Sequence, residues 1–246
     1  MRIPRVYEPQ SLTSGATIQL SDFAAQHLGR ALRMQAGDPI RVFNGAGGEF
    51  DALLDEVGRK RVRVRIGARI DSALESPLRI ELGQGLSRGE RMDYAVQKAT
   101  ELGVDLITPL QSERCEVRLS GEREQKRTAH WQAVAVSAAE QSGRTQVPVL
   151  GAPQGLADWL QSVDAELKLV LHPEAAAALV DLPAPRSVAL LIGPEGGLSD
   201  AEVAAAQAAG FRALALGPRV LRTETAPVVA LSLLQYLWGD LGACRT

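Results

Sequence analysis

Apolar and polar residues alternate in short runs over residues 1–70, and the pattern predicts strands at Thr17–Leu20, Pro39–Asn44, Glu49–Val57 and Arg61–Ile70. Turn signals separate them, Ala36-Gly37-Asp38 and Gly45-Ala46-Gly47-Gly48. One helix interrupts the series, with Ser21 as N-cap and Phe23, Leu28, Ala31 and Leu32 on one face. Short strands at this spacing predict a small barrel. A polar stretch, Asp71–Pro77, ends the pattern.

Beyond it, apolar runs alternate with helical periodicity, which predicts an α/β fold with a mainly parallel sheet. Strands are expected at Leu78–Leu82, Val104–Leu110, Leu167–Leu171, Val188–Ile192 and Phe211–Leu216. Helices are expected at Glu90–Leu102 (Met92, Ala95, Val96 and Ala99 inward), Gly121–Ser142 (Trp131, Val134, Ala135 and Ala138 inward), Asp200–Ala209 and Thr225–Trp238. Gly103 and Gly143 supply helix stops, the alanine run 175–178 is a helix cue, and Ser199-Asp200-Ala201-Glu202 reads as a capping box. The expected domains are therefore 1–72 and 73–246.

Two Gly/Pro segments dominate the second domain. Ile192-Gly193-Pro194-Glu195-Gly196-Gly197-Leu198 and Ala215-Leu216-Gly217-Pro218-Arg219-Val220-Leu221-Arg222-Thr223-Glu224-Thr225-Ala226 each follow an apolar run and precede a helix. They read as loops at the carboxyl ends of neighbouring strands, where open α/β sheets bind ligands through exposed main chain. A single such loop is better explained as a capped connection; two favour a site. His172 ends a strand and is expected at the same crevice, whereas His27 and His130 fall in helical patterns, as surface or boundary residues.

The charge is segregated. Residues 1–70 carry eleven Lys/Arg against seven Asp/Glu, a balance of +4, and the remainder is −6, within a total of −2. Arg61, Arg63 and Arg65 alternate with Val62, Val64 and Ile66, and Arg59 and Lys60 extend the charge into the preceding turn. Such a stripe is either a solvated strand face or a phosphate-contacting surface for a polyanionic partner. Cys115 and Cys244 have no metal-ligand spacing, no run reaches membrane-spanning length, and Met1–Tyr7 lacks the apolar stretch of a secretory leader; a reduced cytoplasmic protein without membrane or metal is expected.

Several chemistries lack their motifs. Gly83-Gln84-Gly85-Leu86-Ser87-Arg88-Gly89 has the spacing G-x-G-x-x-x-G, one residue too long for a dinucleotide fingerprint, and reads as a strand-to-helix turn. A nucleotide-dependent oxidoreductase or kinase would need that loop. No phosphate-binding P-loop or H-E-x-x-H occurs.

Longer runs carry a resemblance. Arg91-Met92-Asp93, Val96-Gln97-Lys98-Ala99-Thr100-Glu101-Leu102-Gly103-Val104, Ser112-Glu113-Arg114-Cys115, Ala139-Glu140-Gln141-Ser142-Gly143-Arg144 and both Gly/Pro segments resemble the RsmE family, methyltransferases of the SPOUT superfamily that modify uridine N3 in 16S ribosomal RNA. Arg2–Tyr7 and His27-Leu28…Leu32-Arg33 fit less specifically. The resemblance implies a SPOUT domain with a C-terminal trefoil knot, a PUA-like barrel before it, S-adenosyl-L-methionine as donor, a homodimer, and 16S rRNA or the assembled small subunit as partner. It assigns Leu171, His172, Ile192, Gly193, Gly197, Leu216, Gly217, Val220, Leu221 and Thr223 to the cofactor, with Leu216, Val220 and Leu221 as apolar walls.

Uridine N3 carries a proton, so its methylation needs a group to remove that proton and a cation to hold the charge left on the ring. Arg222 is the expected cation and Arg219 the second candidate, otherwise an RNA contact; Glu195, Glu224 and Glu140 are the candidate bases, with structural capping roles as alternatives. A non-catalytic RNA-binding assembly factor, or a SPOUT methyltransferase acting on another RNA, would use the same chain differently.

Overall fold

A computed structural model describes residues 3–26, 28–29, 32–58, 61–71, 75–172, 179 and 182–242. The expectations for Arg2, His27, Ala31, Arg59, Lys60, the 72/73 boundary, the alanine run 175–178 and Cys244 lie outside the described residues. The chain divides into two compact units, Met1–Glu75 with Ala139–Val147, and Ser76–Ala138 with Pro148–Thr246.

The first unit holds β1 (Arg5–Tyr7), β2 (Thr17–Gln19), α1 (Asp22–Gln26), β3 (Pro39–Phe43), β4 (Glu49–Val57) and β5 (Val62–Ile70). They form a five-stranded sheet in the order β1-β3-β4-β5-β2. Val62, Val64 and Ile66 are buried with Ile40, Val42 and Leu54, and the alternating Arg61, Arg63 and Arg65 are exposed. Irregular register between β4 and β5 near Asp51 and Asp55 bends the pair, as an extra residue in one strand does. Ser21 does cap α1, its hydroxyl accepting from the Ala24 N–H at 3.4 Å. The expected inward face is corrected. Phe23 and Leu32 are exposed, while Ala24 and Leu28 are buried, because α1 is too short for its periodicity to continue to Leu32.

The strand β1 was hidden from pattern reading by its brevity. Its Arg5 guanidinium pairs with Glu49 at 2.7 Å and donates to the carbonyls of Ala139, Glu140 and Arg144. Such a buried, multiply bonded arginine is a tertiary feature without local periodicity.

In the second unit come β6 (Arg79–Gly85), α2 (Glu90–Glu101), β7 (Leu106–Gln111), α3 (Gly121–Ser142, which ends in the first unit), β8 (Val149–Leu150), β9 (Gln154–Gly155) and α4 (Leu156–Ser162). Then follow β10 (Leu167–Leu171), β11 (Ser187–Ile192), α5 (Asp200–Ala208), β12 (Arg212–Leu214) and α6 (Thr225–Trp238). The strands pair in parallel in the order β12-β10-β11-β6-β7-β8, with β9 also on β7. Parallel central strands must be covered on both faces, which accounts for the apolar run Val188–Ile192 of β11 and for β10, where Lys168 alone interrupts it.

Three features differ from the sequence expectation. The two Gly/Pro loops do not follow adjacent strands, because β10 lies between β11 and β12. The first two glycines of the near-miss motif belong to β6 itself, and only Leu86–Gly89 form the turn to α2: a Cβ on Gly83 would lie 2.6 Å from the Trp159 ring, and one on Gly85 would collide with the Pro194 nitrogen. These glycines admit α4 and the first Gly/Pro loop to the sheet, so no nucleotide turn is needed to explain them. On α3, Val136 rather than Val134 joins the buried stripe with Trp131, Ala135 and Ala138. The α4 helix, β8 and β9 are too short for periodicity along the chain to reveal them.

Helix ends behave as their residues dictate. The Val104 N–H bonds the Ala99 carbonyl and the Gly103 N–H bonds that of Thr100, with Gly103 at φ +82°, a Schellman stop for α2. The Ser199–Glu202 capping box starts α5 directly after the first Gly/Pro loop.

Candidate functional site

The carboxyl ends of β10, β11 and β12 open onto a cavity of ≈ 660 Å³, within the size range of small-molecule sites. Leu171 ends β10 and His172 follows it; Ile192 ends β11, with Gly193–Leu198 after it; Leu214 ends β12, with Leu216, Gly217 and Arg219–Glu224 after it. All the residues assigned by resemblance to the cofactor line this one cavity, as do Arg219, Arg222, Glu195 and Glu224. Backbone contributes heavily. The His172 N–H bonds the Leu214 carbonyl at 3.0 Å, and a Cβ on Gly193 would press on Leu198 N at 3.0 Å. Gly197 and Gly217 adopt φ +69° and +84°, which glycine alone enters without strain. A flat, uncharged heterocycle suits such a wall of main chain and aliphatic side chains.

One polar network fixes the second loop. The Thr223 hydroxyl donates to the Gly193 carbonyl at 2.9 Å and takes a hydrogen bond from Gln84 Nε2 at 3.1 Å. Ser87 Oγ lies 3.3 Å from the same oxygen and bonds the Gly85 carbonyl at 3.1 Å. Gln84, Ser87 and Thr223 are buried, so these bonds form in a medium where leaving them unmade is costly. No local pattern marks Gln84, a single polar residue between two glycines of β6.

The charged groups divide into paired and unpaired. Glu195 accepts from the Arg88 N–H at 3.0 Å and from Arg91 Nη1 at 2.8 Å. Partial burial pushes its carboxyl up, but the Arg88 and Arg91 hydrogen bonds outweigh that and hold it below the usual carboxylate value. The Arg91 guanidinium is raised in turn, first by the Glu195 bond and also by Glu224 and Glu116. Glu224 is different: its Oε2 is buried with no hydrogen-bond partner among the described residues. Arg222 is exposed on the rim, and its carbonyl accepts the Thr225 and Ala226 N–H groups that open α6.

One expectation is corrected. Glu140 does not line the cavity; its carboxylate accepts the Tyr7 N–H at 2.9 Å within the first unit. Val220 lines the cavity from a turn and is 84% exposed within this chain. Arg91 and Arg114 are additions. Arg91 anchors Glu195, and Arg114 Nη1 donates to the Gly196 carbonyl at 3.3 Å. Both lie in runs quoted for the resemblance, and nothing in their spacing alone marked them.

The chain matches two family models, an RNA methyltransferase domain over residues 74–235 and an RNA methyltransferase PUA domain over residues 20–67. Ribosomal RNA small subunit methyltransferase E of Buchnera aphidicola subsp. Schizaphis graminum is 36% identical over 98% of each chain. Among solved structures, ribosomal RNA small subunit methyltransferase E of Neisseria gonorrhoeae, bound to S-adenosyl methionine, is 40% identical with a TM-score of 0.92, covering 98% of this chain and 100% of that one. A Legionella pneumophila protein in complex with the cofactor SAM is 45% identical with a TM-score of 0.95, covering 98% and 100%. With two thirds of its length in the first family model and near-complete alignment to such relatives, the chain belongs to the ribosomal RNA small subunit methyltransferase E family.

Proposed function

We propose that this protein methylates N3 of a uridine in 16S ribosomal RNA, with S-adenosyl-L-methionine as donor. The observation that carries the reading is the cavity at the ends of β10, β11 and β12. It gathers Leu171, His172, Ile192, Gly193, Leu216 and Thr223 around exposed main chain, in a chain whose solved relatives bind that donor. The donor supplies an electrophilic methyl group on a sulfonium. The chain's own residues must then hold the uracil in line, take the N3 proton and balance the charge left on the ring.

Glu224 is the base in this reading, because its buried Oε2 is an unclaimed acceptor for an N3–H. Glu195 is bound to Arg88 and Arg91 and positions them. Arg222, a planar donor that stays charged, stabilises the anion spread over N3, O2 and O4. Arg219, beside it on the rim, and the exposed Arg61, Arg63 and Arg65 contact RNA phosphates.

The finer architecture of the family belongs to the same proposal: residues 1–72 as a PUA-like RNA-binding barrel and 73–246 as a SPOUT domain with a trefoil knot. The insertion of β11 between β10 and β6, and the tie from Thr223 to Gly193, support the knot. Exposed Leu233 and Tyr236 on α6 and the bare Val220 support a homodimer. A ribosomal substrate places the enzyme in the cytoplasm. Calorimetry with the donor and mass-spectrometric mapping of methylated nucleosides in 16S rRNA, with and without the gene, test the proposal. Donor binding and loss of one N3-methyluridine are expected; an unchanged nucleoside map refutes it.

A further inference from the structure

A second cavity, ≈ 280 Å³, lies beside the first and has no part in the reading above. Its walls are the Ser87-Arg88-Gly89 turn, the segment Glu116–Leu119, and the Arg123, Arg127 and Trp131 stripe of α3. The stripe follows from helical spacing, since residues four apart share a face. Four arginines, Arg88, Arg118, Arg123 and Arg127, surround a single carboxylate, Glu116, and that carboxylate is already paired with Arg88 at 2.8 Å. Among the described residues, Arg118, Arg123 and Arg127 have no carboxylate within ion-pair distance.

The two cavities meet at one turn. Ser87 lines the second cavity and lies within hydrogen-bond distance of Thr223, which lines the first. The Arg88 N–H bonds Glu195 of the first cavity, while its guanidinium reaches Glu116 in the second. Gly89, the N-cap of α2, also lines the second cavity and makes no side-chain capping bond.

We infer that this arginine pocket holds the sugar-phosphate backbone next to the nucleotide whose base occupies the larger cavity. The inference rests on the proposed RNA methyltransferase reading and adds to it a backbone-binding site within the methyltransferase unit. Planar, always-charged forks suit phosphate oxygens, and three unpaired ones in one recess form a site for more than one phosphate. Four arginines against one carboxylate disfavour a cationic ligand there.

The test is binding of a short fluorescent oligouridylate to the full-length protein across a salt series. The variant carries Arg118→Gln, Arg123→Gln and Arg127→Gln. Its control, Arg79→Gln, Arg186→Gln and Arg212→Gln, removes as many charges elsewhere. The pocket variant is expected to bind at least about tenfold more weakly at low salt, with the slope of log K against log salt shallower by about 2. The control should match the wild type, and restoring lysine at the three pocket positions should recover most of the slope. Equal slopes in the pocket variant and wild type overturn the inference, as does arginine-dependent binding of polyglutamate as tight as that of the oligouridylate. Donor binding is read calorimetrically on the same samples. Its absence in the wild type defeats the proposed function, whereas the oligouridylate series tests the pocket on its own.

Discussion

The Thr223 hydroxyl donates to the Gly193 carbonyl at 2.9 Å, tying the loop after β12 to the loop after β11 through a buried bond. It joins the chain segments from which most of the cavity lining comes. Thr223→Val keeps the side-chain shape and leaves a buried carbonyl and the Gln84 amide short of a partner. The expected cost is about 1–3 kcal/mol of stability. Donor affinity should fall with it, while Thr223→Ser restores both. Thermal unfolding and calorimetry check this, and an unaltered affinity in Thr223→Val removes the tie from the binding mechanism.

Close approach of main chain predicts a second outcome. A Cβ at Gly85 has no room between β6 and the Gly193–Pro194 peptide, so Gly85→Ala should destabilise the protein by about 1–3 kcal/mol. Gly47→Ala meets nothing within 4 Å but sits at φ +84°, so it should cost only the left-handed backbone penalty, about 1–2 kcal/mol. Denaturant unfolding of the two variants compares steric conflict with pure conformational strain.

Arg222→Ala should lower the methyl-transfer rate by about a hundredfold or more, the magnitude expected for loss of a donor to developing charge. Donor affinity should be nearly unchanged, because Arg222 lies on the exposed rim. Single-turnover rates and calorimetry separate the two effects, and near-normal turnover excludes Arg222 from the chemistry.

The two cavity glutamates should respond differently. Glu224→Gln removes the unclaimed acceptor and should depress turnover by about a hundredfold, within the usual span for general bases. Glu195→Gln should slow the reaction less, since it alters only the support of Arg88 and Arg91. Its signature is pH-dependent stability. The Glu195 carboxyl is held low in the folded protein, so its contribution is present above the ordinary carboxylate value and is lost as pH falls through the folded value. The stability gap between wild type and Glu195→Gln should therefore close in acid, and a gap that persists there refutes the assignment. Because Glu195 is partly exposed, that gap should stay within about 1 kcal/mol at neutral pH.

In the first unit, replacing Arg61, Arg63 and Arg65 by Gln should weaken RNA binding and flatten its salt dependence, by about 0.7 in slope for each phosphate contact to single-stranded RNA. Arg65 is already paired with Asp55 at 2.7 Å, so Arg65→Gln alone should change the slope least. An unchanged slope in the triple variant returns this strand to a solvated face.

The sequence by itself determined what is local. Alternation of Val62, Val64 and Ile66 with arginines fixes which face of β5 is buried, because side chains point to opposite sides along a strand. Ser199 and Glu202 specify the start of α5, Gly103 specifies the end of α2, and the two Gly/Pro segments mark the loops that line the cavity. Tertiary structure decided what depends on partners distant in the chain. The placement of β10 between β11 and β12, the roles of Gly83 and Gly85 as clearance for Trp159 and Pro194, and the buried Gln84–Thr223 bond arise from packing between segments far apart in sequence. So do the separation of Glu140 from the cavity and the difference between a paired Glu195 and an unclaimed Glu224. A carboxylate's chemistry is set by the groups that surround it after folding, and periodicity along the chain records only which side of its own element it occupies.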